Sequence, residues 1–102
     1  MTPKAAYDLA KKYGPSVETR IETCRLPGLA YLYAVCIDKG PSDITREGAC
    51  RSALYAYLYA KDIDECFRMD TYLAASRYSK TLDKYTNWLF HNFKDKTTTQ
   101  EI

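Results

Sequence analysis

The sequence predicts an all-α protein, a short α-solenoid of about seven helices built from 26-residue helix-turn-helix units. Three observations carry this. The block Leu29-Ala30-Tyr31-Leu32-Tyr33-Ala34 is echoed 26 positions later by Tyr55-Ala56-Tyr57-Leu58-Tyr59-Ala60. Cutting the chain at that interval aligns further columns: Tyr7, Tyr33, Tyr59 and Tyr85; Gly14-Pro15-Ser16 with Gly40-Pro41-Ser42; Thr19-Arg20 with Thr45-Arg46; and Cys24-Arg25 with Cys50-Arg51 and Ser76-Arg77. Within each unit the apolar residues follow helical spacing. A period of roughly 20 to 50 residues marks a solenoid or array, whose units are too short to bury a face alone and must stack.

The first helix is expected near Pro3 to Tyr13, with Asp8 and Lys11 where later units are apolar, which suits a polar outer cap. Ser16 to Cys24 forms the second helix. The third runs from Pro27, since proline is tolerated in the first helical turn, to Asp38. Ala30, Tyr33, Ala34 and Ile37 form its buried stripe at i, i+3, i+4 and i+7, and Ala56, Tyr59, Ala60 and Ile63 repeat that stripe in the fifth helix. Tyrosine favours strands, but the paired alanines and the spacing outweigh this. Lys39-Gly40-Pro41 then breaks the third helix, with Gly40 expected in the left-handed cap position. Ser42 caps a fourth helix whose first turn gains favourable charge from Asp43. The third unit departs from the pattern. Cys66-Phe67-Arg68 replaces Gly-Pro-Ser, Tyr72 replaces the arginine, and Asp70 is expected to cap the sixth helix two residues late. A closing helix spans Ser79 to Phe93, with Trp88, Leu89, Phe90 and Phe93 clustered on it. Residues 1–95 thus read as one helical-repeat domain and 96–102 as a flexible tail.

One domain of 102 residues has room for a single core. Ten tyrosines stand beside three phenylalanines and one tryptophan, and tyrosine packs its ring while keeping its hydroxyl bonded or wet. Net charge is +2, too weak an imbalance for a nucleic-acid scavenger. Cys24, Cys36, Cys50 and Cys66 lack a C-x-x-C pair, and the lone histidine, His91, lies far from them. No metal site is expected, nor any cofactor, and the cysteines read as reduced thiols. No apolar run approaches the ~18 residues of a membrane span and no leader opens the chain, so a cytoplasmic location is expected.

Tyrosine-rich blocks of this form, as in Tyr55 to Asp64, resemble tandem short helical repeats (HEAT-like) found in uncharacterised bacteriophage proteins, where Asp-Pro commonly precedes the tyrosines. Here Pro27 keeps the proline and Ser52-Ala53 stand in for the pair. The resemblance implies a HEAT-like helical stack and a phage origin. It implies no shared activity and no catalytic residues.

The expected function is a non-catalytic protein-binding module that inhibits or modulates a bacterial host protein complex, with an anti-CRISPR or other anti-defence inhibitor as its concrete form. No catalytic motif or residue is identified. Tyr31 and Tyr57 lie about 160° around the helix from Tyr33 and Tyr59. Two roles are open to them: packing under the next helix, or lining an exposed contact face. The alternative function is nucleic-acid binding by an arginine ladder of Arg25, Arg51 and Arg77, with Arg20 and Arg46 as a second column tracking phosphates. Against it stand helix-end capping of carbonyls and pairing with Asp38 or Asp64.

Overall fold

The computed structural model describes residues 1–92 with their side chains and the helical course of the backbone to Glu101. The described residues are all-helical, with seven helices and no strand: α1 (Pro3–Tyr13), α2 (Val17–Thr23), α3 (Pro27–Leu32, widening into a π-helical segment over Tyr33–Asp38), α4 (Asp43–Ala49), α5 (Ala53–Tyr59, with a π-helical segment over Ala60–Asp64), α6 (Met69–Ala75) and α7 (Ser79–Glu101). The expected tail at 96–102 and the side chain of Phe93 lie outside the residues described in full. Helices α1 and α2, α3 and α4, and α5 and α6 pack as pairs, while α3 packs on α1, α5 on α3, and α7 on α5.

The starts follow from capping chemistry. Thr2, Ser16, Ser42 and Ser52 each sit in extended backbone and accept a hydrogen bond from the N–H three residues on, satisfying one of the donors that a helix start leaves open. The sixth helix differs from expectation. Its cap position is Arg68, which has no side-chain acceptor, and Asp70 sits inside the first turn, accepting from the Thr71 N–H at 2.8 Å while pairing with Arg68.

The core is a row of tyrosines. Tyr33, Tyr59 and Tyr85 are each 0% exposed. They anchor three successive clusters: Tyr7, Ala10 and Tyr33; Ala34, Ala49 and Tyr59; and Ala60, Ala75 and Tyr85. The predicted stripes hold, with Ala30, Ala34, Ala56 and Ala60 fully buried and Ile37 and Ile63 packed against the clusters. The alanines let helices approach closely, and at Gly48 in α4 even a Cβ would come within 2.9 Å of Ala30 and Cys24.

A buried phenol needs a partner, and the same one recurs. The Tyr33 hydroxyl lies 2.9 Å from Thr19 Oγ1, accepts from the Ser16 N–H at 3.1 Å and lies 3.2 Å from the Ser16 carbonyl. Tyr59 makes the same set to Thr45 and Ser42, at 2.6, 2.9 and 3.1 Å. Tyr85 makes it to Thr71 and Arg68, at 2.8, 3.3 and 3.4 Å. Each tyrosine thus completes the N-terminus of an even-numbered helix from the odd-numbered helix that follows it.

The π-helical segments explain a second recurring contact. In an α-helix, five residues turn a side chain about 140° away. The wider i→i+5 turn brings residues five apart closer to one face. Asp38 and Tyr33 are thus reached by one arginine, and Asp64 and Tyr59 by another. Arg20, beside Thr19, grips Asp38 with two bonds at 2.9 and 2.8 Å. Arg46 grips Asp64 at 2.9 and 2.6 Å. Each guanidinium also lies 5.5 Å from its tyrosine ring centroid, a cation–π distance. The wide turn moves the left-handed cap as well. Lys39 (φ 57°) and Glu65 (φ 56°) take that conformation, and Gly40 does not. The Lys39 and Gly40 N–H groups both reach back to the Ala34 carbonyl.

Replacing Tyr59 by phenylalanine keeps the packing but strands the Ser42 N–H, while Thr45 Oγ1 keeps its contacts to the Ser42 hydroxyl and carbonyl. Urea unfolding is expected to show a loss of about 1–3 kcal/mol, which adding Thr45→Val deepens because the contacts to Ser42 go with it. A loss below a few tenths would mean the hydroxyl contributes nothing net. Asp64→Asn removes the buried carboxylate, 3% exposed, from a guanidinium whose side chain is 9% exposed, and leaves it the exposed Asp43 as its one charged partner. The expected cost is about 1.5–3 kcal/mol. The double variant Arg46→Met/Asp64→Leu is expected to be more stable than Asp64→Asn alone.

Candidate interaction surface

On the outer side of the odd-numbered helices, α3 and α5 leave a groove of about 570 Å³ lined by Leu26, Pro27, Gly28, Leu29, Tyr31, Leu32, Tyr55 and Leu58. Its volume and apolar walls suit a site that takes side chains rather than ions. Gly28 makes room for the Tyr55 ring, whose Cζ and hydroxyl lie 3.2 Å from where a Cβ would be. Tyr31 and Tyr55 form an aromatic pair with ring centroids 6.0 Å apart. The Tyr31 hydroxyl donates to Asp62 of α5 at 2.6 Å, fixing that wall. Burial, reinforced by the Asp62 carboxylate, pushes the Tyr31 phenol up to about 12.

The two tyrosines singled out from sequence therefore separate. Tyr31 lines the groove. Tyr57 packs against the third cluster with its ring 6.3 Å from Tyr85. Sequence reasoning missed Tyr55, Leu32 and Leu58. A signal for them was available at Gly28, a glycine where the next unit has Leu54.

The arginines are engaged within the protein. Arg20 and Arg46 hold Asp38 and Asp64, bonds that raise both guanidinium pKa values above the usual arginine range. Arg51 donates toward the carbonyls of Cys24 and Arg25 at 3.4 and 3.5 Å, and Arg77 donates to the Cys50 carbonyl. Each thereby caps the even-numbered helix of the unit before it. Arg25 forms a surface pair with Glu22 at 2.7 Å.

All four cysteines are free thiols, with Cys24 buried and Cys36 and Cys66 exposed. Burial pushes the thiols of Cys24 and Cys50 up to about 11. Among the described residues no helix is long and apolar enough to cross a membrane. No family model, curated protein or solved structure matches the chain.

These raised values give alkaline sensitivity. Cys24 and Cys50 move up from 9.0 and Tyr31 from 10.0, so the unfolded chain loses these protons first. Their contribution to stability is full below about pH 9 and falls as pH climbs towards 11. Urea midpoints measured from pH 8 to 11 are expected to decline, with a shallower slope in Cys50→Ala. Iodoacetamide at pH 8 is expected to label Cys36 and Cys66 well before Cys24 and Cys50. Equal labelling rates would contradict the burial argument.

Proposed function

We propose that this protein is a non-catalytic protein-binding module, a short solenoid of 26-residue helical units whose odd-numbered helices present the contact surface. The observation that carries the reading is the preformed groove between α3 and α5, walled by Tyr31 and Tyr55 and floored by leucines. Aromatic anchors in concave, desolvated sites dominate protein recognition. Two further observations support the stacked architecture. The tyrosine–threonine and arginine–aspartate contacts recur at 26-residue intervals, and the body measures 54 × 24 × 15 Å, drawn out as stacked units would be.

The concrete form is a phage-encoded inhibitor or modulator of a bacterial host complex, an anti-CRISPR or other anti-defence protein acting in the host cytoplasm. It rests on the resemblance of the tyrosine-rich blocks. The nucleic-acid alternative has less to draw on, because Arg20, Arg46, Arg51 and Arg77 are engaged in intramolecular contacts.

Full-length protein immobilised and exposed to bacterial lysate is expected to retain a host protein. The variant Tyr31→Ala/Leu58→Ala, shown to be folded by circular dichroism, is expected to lose it, while Tyr57→Phe keeps it. Retention unchanged in the double variant would remove this surface. Retention abolished by nuclease would favour the nucleic-acid reading.

A further inference from the structure

The α3/α5 groove has an equivalent one unit further on. A second groove of about 390 Å³ between α5 and α7 is lined by Ser52, Ala53, Leu54, Tyr78, Lys80, Thr81 and Lys84. Most of its lining lies 26 residues beyond a position in the first: Leu26 becomes Ser52, Pro27 becomes Ala53, Gly28 becomes Leu54, Tyr55 becomes Thr81 and Leu58 becomes Lys84, while Tyr78 and Lys80 join it without a counterpart there. The buried positions keep their chemistry across the units, but these outer columns do not. Gly28, Leu54 and Lys80 form one series, and Leu32, Leu58 and Lys84 another. The surface therefore runs from apolar at α3 to cationic at α7.

The two lysines are what make this surface informative. Both are exposed, one helical turn apart on α7, and neither forms an ion pair with a described residue although Asp83 lies between them in sequence. The buried and half-buried guanidinium groups are matched, since Arg20 and Arg46 each hold a carboxylate. Two unmatched like charges on adjacent turns repel one another, and a bound anion would relieve that repulsion. Beside them Leu54, 42% exposed, and Tyr78, 61% exposed, continue the apolar floor up to the charges.

We propose that the two grooves form one binding track for a protein segment with a bulky apolar anchor and an acidic end, the anchor seated between α3 and α5 and the carboxylates meeting Lys80 and Lys84. This deepens the protein-binding reading and rests on it. Neighbouring helix axes lie about 8–10 Å apart. The anchor and the acid are therefore separated by about three residues of extended chain, or about six or seven of a helix. The anchor supplies most of the affinity and the charges set direction and specificity.

The test is a selection of random twelve-residue peptides displayed on phage against the full-length protein, followed by fluorescence anisotropy with the enriched peptides. The expected consensus is an aromatic or large aliphatic residue with Asp or Glu at one of those separations. Leu32→Asp, at a position already 41% exposed, is expected to weaken binding about tenfold or more. Lys80→Glu/Lys84→Glu is expected to do the same, a loss of about 1.4 kcal/mol or more. A peptide with its acids changed to lysine is expected to bind the Lys80→Glu/Lys84→Glu variant better than the wild type. Rescue by charge reversal distinguishes direct contact from damage to the fold. Enriched peptides indifferent to both sets of substitutions would overturn the track while leaving the protein-binding reading intact. A consensus without acids would do likewise. A selection that enriches nothing counts against both, and tight binding of a single-stranded oligonucleotide lost in Lys80→Glu/Lys84→Glu would assign the lysines to phosphate instead.

Discussion

Everything in this fold depends on a phenol that reaches out of one helix to finish another. The hydroxyls of Tyr33, Tyr59 and Tyr85 sit where a helix start meets the core, bonded to the threonine of the first turn and to the backbone of the cap position. A phenylalanine would bury a similar area, but it would leave the backbone N–H of the cap position without its partner. The tyrosine converts three helix ends from liabilities into joints. It also ties one helix to the backbone at the start of another, through the cap-position carbonyl. The alanines around it bring the helices close enough for that reach.

Much of this was legible in the chain. The tyrosine column and the Ala-Tyr-Ala stripe specified which face is buried, and Ser16 and Ser42 specified where helices begin. The π turns were not legible, because nothing in Tyr33–Asp38 or Ala60–Asp64 forbids an ordinary α-helix. They accompany a tertiary contact, the pairing of Asp38 and Asp64 at their ends with an arginine on another helix. Once the turn widens, the left-handed residue moves from Gly40 to Lys39, against the glycine preference that sequence reasoning relies on. Asp70 was misread because it lies within the first turn, where its carboxylate accepts from the Thr71 N–H and pairs with Arg68. The groove was hidden because its walls come from residues unlike their counterparts 26 positions away, and a search for repetition passes over such positions.

The third unit shows how the arrangement tolerates change. Tyr72 stands where Arg20 and Arg46 stand, and Phe90 where Asp38 and Asp64 stand, so both members of the ion pair are replaced together. The Tyr72 ring meets Tyr85 edge-on at 5.6 Å, taking the place of the guanidinium beside the phenol. Half of that exchange would bury a lone charge, which costs several kcal/mol. The complete exchange trades one neutral arrangement for another. Thr23 is the opposite case, a buried hydroxyl with no partner where the later units have Ala49 and Ala75.

The tyrosine joints also give the molecule a polarity. Each runs from a later helix back to an earlier one, so α2 is completed only by α3, α4 only by α5, and α6 only by α7. During synthesis every even-numbered helix leaves the ribosome with its first turn unfinished and waits 14 residues, the span from Thr19 to Tyr33, for the group that closes it. The two ends are correspondingly unequal in what they expose when they come loose: detaching α1 breaks no such joint, whereas detaching α7 undoes the start of α6.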